Sequence, residues 1–168
     1  MSQVIIVDET NTLICHKEKS EVQVEDIFRV SACIIQNSEG KYLLAQRSLK
    51  KKNKPWLWAY AAEGTLSKWE SYESNILSKL ESEIGLRWVI LEKLYTKRRY
   101  WVHTFFHEVY FMKLDQDIED FTINSSEVEQ MRWFTKEEIS EKEFEWYPIS
   151  KKLQRDIDFL ERGTESDY

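Results

Sequence analysis

Along the first half of the chain, short apolar runs alternate with turn signals in a rhythm that predicts strands. Ile5 to Val7 and Leu13 to Cys15 flank the polar "DETN", which predicts a short hairpin. Phe28 to Gln36 and Tyr42 to Arg47 form two more β-type runs joined by the turn signal "NSEG". A loop containing Pro55 follows, then the apolar piece "WLWAYAA". There the period changes. Ile76, Leu77, Leu80 and Ile84 recur at helical spacing, so Glu70 to Ile84 reads as a helix stopped by Gly85. Ser67-x-x-Glu70, or the residues just after it, offers the cap at its start.

The strand rhythm then returns. Trp88 to Thr96 and Trp101 to Leu114 read as strands, the second rich in aromatic and β-branched residues. Asp115 to Ser126 is polar and reads as a loop, and "EQMRWF" suits a final strand. Thr135-x-x-Glu138 is a capping box opening a short helix, and Ile149 to Leu160 carries the spacing of an amphipathic helix. Neither repeats nor a domain break interrupt this order. It predicts one domain over residues 1–168, with an N-terminal hairpin extension at 1–27 and a C-terminal helix at 148–162. The fold class is α+β, a mixed sheet sandwiched between helices.

Composition narrows the function. A chain of 168 residues can bury a sizeable core. Its net charge of -6 lacks the basic footprint of general nucleic-acid binding. The local exception is "LKKKNK" at Leu49 to Lys54, which alone reads as a solvated loop. Cys15 and Cys33 make neither a disulfide framework nor a metal spacing, which implies a reduced compartment. "MSQVIIVDETN" has no basic n-region and its apolar run is too short for a signal peptide, and no apolar run approaches a membrane span. The expectation is a cytoplasmic protein without membrane or general nucleic-acid partners. Seven Trp and eight Tyr make a homodimer an expectation as well.

The stretch "GTLSKWESYESNILSKLESEIGL", residues 64–86, carries a more specific signal. It opens on Gly64, reaches Glu70 after five residues and closes on Glu83-Ile84-Gly85-Leu86, with Leu80 at the expected apolar position. This frame resembles the signature of the Nudix superfamily: a glycine, five residues, Glu, seven residues, then Arg-Glu-apolar-x-Glu-Glu-x-Gly-apolar. The resemblance runs from about Val7 to the last helix. Its flanks, "LLAQRSLKKKNKPWLW" and "SSEVEQMRWFTKEEI", are similar to the branch with type I isopentenyl diphosphate isomerases and related hydrolases. It implies a Nudix fold, a small-molecule diphosphate ligand, and Mg²⁺ or Mn²⁺ as cofactor.

The box is degenerate where the chemistry sits. Ser78 stands for the arginine, and Lys79 and Ser82 stand for two of the three helix glutamates, leaving Glu83. A hard cation needs oxygen ligands, and a helix gathers them when acids recur three and four residues apart. Replacing two acids by a lysine and a serine shifts the local charge by about three units and sets an ammonium beside the metal position. Glu73 and Glu81 point elsewhere by helical phase and read as solvated.

Two compensations are open. Lys79 could itself act as the cation, pairing with Glu83 and a substrate phosphate. Alternatively, acids from other segments could rebuild a metal site. Glu63 is one candidate, because the resemblance implies that the carbonyl preceding the motif glycine is a metal ligand. Glu127 and Glu129 lie where the family often places an additional acid. Arg47 and Lys51 match an arginine and a lysine that hold the diphosphate in the isomerase branch.

Isomerase chemistry uses a cysteine shortly after "LW"; this chain has Ala62-Glu63-Gly64 there, and His16 alone represents the isomerase histidines. His103 and His107, read on one strand face, would lie about 13 Å apart at ~3.3 Å per residue, too far to share an ion. Two functions stay open. One is a Mg²⁺-assisted hydrolase of nucleoside or related diphosphates, using Glu83 with Glu70 and holding phosphates with Arg47, Lys51 and Lys79. The other is a non-catalytic ligand-binding or interaction module.

Overall fold

The computed structural model describes residues 2–141 and 148–165. Among them are nine strands, β1 (Gln3–Val7), β2 (Leu13–Glu18), β3 (Ile27–Gln36), β4 (Tyr42–Arg47), β5 (Trp58–Ala59), β6 (Ala62–Thr65), β7 (Glu92–Tyr100), β8 (Thr104–Lys113) and β9 (Val128–Phe134). Three α-helices accompany them, α1 (Tyr72–Ile84), α2 (Lys136–Glu141) and α3 (Lys151–Glu165). The sheet is mixed: β3 and β8 run parallel through ten register pairs, and the other strand pairs are antiparallel.

Strand β3 is buried on both faces, which explains its nearly unbroken apolar run. Cys33 and Ile35 point to one side, where they meet Ile76, Leu80 and Ile84 of α1. Ala32 and Ile34 point to the other, where they meet Leu153 and Ile157 of α3 and Ile139 of α2. Helices therefore cover both faces, the sandwich that the pattern predicts. Each of the three buried α1 side chains contributes about 1.5–3 kcal/mol relative to exposure.

The start of α1 refines the sequence reading by two residues. Ser71 is the cap, its side chain accepting from Ser74 N, with Ser74 Oγ accepting in return from Ser71 N. Glu70 lies before the helix; its carboxylate accepts from Ser67 N at 2.7 Å and from Asn75 Nδ2 at 2.9 Å. The end is as expected: Gly85 adopts φ 74 and donates to Glu81 O and Leu80 O. The Thr135–Glu138 capping box also forms, with Glu138 N donating to Thr135 Oγ1 and Thr135 N to Glu138 Oε2.

One expectation changes in an instructive way. The β3–β4 hairpin forms at its turn, yet the two strands share a single register pair among the described residues, Gln36 with Tyr42. Beyond it they part, β3 pairing with β8 and β6 while β4 pairs with β9 and β5. The segment 58–65 bridges the gap, joining β4 through Trp58–Ala59 and β3 through Ala62–Thr65. Beside β4, where it turns away from β3, residues of β4, β5, β6, α1 and the start of β9 line a cleft. Strand β7 starts four residues later than its pattern suggests, and Trp88 stands fully exposed in the preceding loop with φ 57.

Candidate functional site

The cleft is small, about 40 Å³, and is lined by Gln46 and Arg47 of β4, Lys51, Tyr60, Glu63, Glu83 and Glu127 among others. The cleft thus gathers Arg47, Lys51, Glu63 and Glu83 from separate segments. Glu127 joins them, while Glu129 is exposed on β9. Glu70 does not line the cleft; it is engaged in the turn before α1.

Glu83 is the α1 carboxylate facing this cleft, with its side chain 11% exposed. Burial raises its pKa to about 7, against the opposing pull of Lys79. Lys79 Nζ lies 4.0 Å from Glu83 Oε1, one helical turn back, as the spacing predicts. The charges of Lys51 and Arg47 also reach Glu83. Ser82 is exposed.

The Lys79 side chain lies directly across Gly64. A Cβ at position 64 would come within 2.5 Å of Lys79 Cε and 2.9 Å of Cγ. Gly64 is not in the left-handed region; the glycine is needed here for close approach.

Arg47 and Lys51 are held by local contacts. Arg47 Nε and Nη2 donate to Asn53 O at 3.2 and 3.0 Å, folding the basic loop back on its own strand. Lys51 pairs with Glu127. Lys54 lies over the Trp101 ring at 4.1 Å, so the basic run is partly ordered by contacts rather than fully solvated.

Behind Glu63 stands a charged group that the sequence did not reveal. Glu63 accepts from Lys152 Nζ of α3 at 2.7 and 2.9 Å, and His107 Nε2 lies 3.2 Å away. Burial alone would raise the pKa of Glu63, but Lys152 and His107 outweigh it and hold the carboxyl well below its usual range. His107 is fully buried, and neither ring nitrogen has a hydrogen bond of good geometry among the described residues. Tyr60 continues the network by donating to Asp156 Oδ2 at 2.5 Å, and Asp156 pairs with Arg99.

Lys152 and Asp156 share a helix face by their four-residue spacing, a signal visible in the sequence. Which sheet residues they meet was not. His103 precedes β8 and packs against Phe28, so the two histidines occupy separate surroundings.

A divalent ion fits this arrangement poorly. From the box region only the carboxylates of Glu83 and Glu63 belong to residues lining the cleft, where the family frame has further helix acids at the positions of Lys79 and Ser82. The Glu63 carboxylate is engaged with Lys152, and Glu127 with Lys51. Among the described residues, no group of three His, Cys, Asp or Glu side chains could hold a metal.

The NUDIX domain family matches residues 27–157, and the chain belongs to that family. An uncharacterized Nudix hydrolase of Listeria innocua is 27% identical over 110 residues, covering 66% of this chain; the chain spans 64% of that relative's length. Another from Nostoc is 29% identical over 147 residues, covering 79% of this chain and 85% of the relative. A shorter segment of 85 residues is 31% identical to an isopentenyl-diphosphate Delta-isomerase of Corynebacterium diphtheriae, covering 49% of this chain and 46% of that protein. Among solved structures, the DR0079 protein of Deinococcus radiodurans superposes with TM-score 0.78 at 16% identity, over 93% of this chain and 97% of its own. These likenesses establish a Nudix hydrolase family member with the Nudix fold. Nudix hydrolases generally use divalent metal ions. No helix among the described residues is long and apolar enough to cross a membrane.

Proposed function

We propose that this chain binds a small-molecule diphosphate, nucleoside-linked or related, in the cleft lined by Arg47, Lys51, Glu63 and Glu83, and that its metal-dependent hydrolysis is impaired. The observation that carries this reading is the position of Lys79: its stem covers Gly64 and its ammonium stands 4.0 Å from Glu83. Arg47 and Lys51 line the same cleft and suit phosphate oxygens, the guanidinium by paired donors and the ammonium as a point charge. The isomerase likeness does not bring isomerase chemistry, because Ala62, Glu63 and Gly64 supply no thiol and Cys33, the register partner of Ala62, is fully buried in the core rather than lining the cleft.

The test is a panel of dinucleotides and nucleoside diphosphates with Mg²⁺ or Mn²⁺, followed for phosphate release and for binding. Binding with little turnover, lost in Arg47→Ala, is expected. Metal-dependent turnover at ordinary enzyme rates, abolished by Glu83→Gln, would overturn the reading.

A further inference from the structure

The cleft poses a charge problem. A diphosphate carries several negative charges, and binding it requires compensating cations. In a metal-dependent site a divalent ion supplies them, and carboxylates hold the ion. Here the Glu63 and Glu127 carboxylates already pair with lysines, and Glu83 faces Lys79. The cations are already part of the protein.

Lys79 differs from the others in how it is built in. The stem lies against the Gly64 backbone so closely that a single methyl there would overlap it. Cγ, Cδ and Cε of the stem thus pack on the fold, while the side chain as a whole stays 36% exposed. Lysine stems on open surfaces are free to swing, and holding one costs side-chain entropy. The contact with Gly64 narrows the directions open to this stem, which favours preorganised anion binding. Its ammonium stands 4.0 Å from Glu83, and Glu83 lines the cleft together with Lys51 and Arg47.

Resting on the diphosphate reading above, we infer that Lys79 is a tethered replacement for the divalent ion, so that the cleft takes the metal-free diphosphate and divalent metal opposes binding. The sign of the metal effect is the substance of this inference. An added divalent ion has few free oxygens to bind on the protein. It does bind free diphosphate, lowering its charge and occupying the oxygens that Lys79, Lys51 and Arg47 would contact. Metal and protein cations thus compete for one ligand.

Calorimetric titration of the full chain with inorganic pyrophosphate, in EDTA and in excess Mg²⁺, tests this. Binding in EDTA that weakens on adding Mg²⁺ is expected. Lys79→Met keeps the stem over Gly64 and removes only the charge, and should lower affinity in EDTA by about tenfold or more. A thermal melt confirms that this variant folds. Pyrophosphate binding that appears only with Mg²⁺, or a Lys79→Met variant that binds as tightly as the parent, overturns the lysine inference and leaves the diphosphate reading standing. Absence of pyrophosphate binding in both conditions overturns both.

Discussion

Replacing Glu83 by Gln should make the protein more stable at alkaline pH and leave it unchanged in acid. The carboxyl ionises near 4.5 when unfolded and at about 7 in the folded chain, because burial disfavours its charged form more than Lys79 restores it. A folded-state pKa above the unfolded value means that protonation favours folding. The contribution is complete below pH 4.5 and is lost as pH rises through about 7. At about 1.4 kcal/mol per pH unit, the loss across that window is about 3 kcal/mol. The side chain is only 11% exposed, so solvent screening takes little from this figure. Glutamine has nearly the shape of the protonated acid and does not titrate. The stability of Glu83→Gln relative to the parent should therefore be near zero at pH 4 and rise by about 3 kcal/mol by pH 8, roughly 6–12 °C in melting temperature. Paired urea or thermal unfolding curves at several pH values isolate this difference, because the other titrating groups are common to both proteins. Parallel pH profiles would refute the reasoning, showing that Glu83 is ionised in the fold at little cost.

Other outcomes follow from the same contacts. Gly85→Ala should lose about 1–3 kcal/mol in urea unfolding, since φ 74 suits glycine and the new Cβ would sit 2.8 Å from Thr122 Cβ. Ser71→Ala removes the α1 cap and should cost about 1 kcal/mol in the same assay, while Ser67→Ala, whose backbone N–H is the group bonded to Glu70, should cost less. Glu63 has its pKa held low by Lys152 and His107, so it contributes stability above pH 4.5 that is lost as pH falls. Lys152→Met should shrink that acid-side loss in unfolding curves from pH 7 to pH 3. The double change Lys79→Glu, Ser82→Glu should create Mn²⁺ binding measurable by calorimetry, since it restores two acids beside Glu83 and removes the ammonium.

Local patterning made much of this fold legible. The apolar spacing of Ile76, Leu80 and Ile84 placed α1, and Thr135-x-x-Glu138 placed α2, because both signals act between residues three and four apart. The strand runs were visible because their apolar and β-branched residues follow one another directly or at every second position. What they pair with was not: "NSEG" joins β3 to β4, yet their long partners are β8 and β9, chosen by packing across the whole sheet. The cleft draws its lining from β4, β5, β6, α1 and β9, so the site is a tertiary consequence of that pairing.

The frame of residues 64–86 identified Lys79 and Glu83 as neighbours through helical phase and family likeness. It could not show that the Lys79 stem rests on Gly64, nor that Glu63 turns toward Lys152 and His107. Glu70 illustrates the limit in the other direction. Its position in the motif suggested a supporting acid, and its carboxylate instead holds Ser67 and Asn75 at the start of α1.

The account turns on what stands beside Glu83. A crystal of the protein grown in Mn²⁺ near pH 7.5 and measured for anomalous scattering asks this directly. The prediction is no ordered ion at Glu83, with the Lys79 stem lying over Gly64. A strong anomalous peak bonded to the Glu83 carboxylate and the Glu63 carbonyl, with Lys79 swung aside, would contradict it.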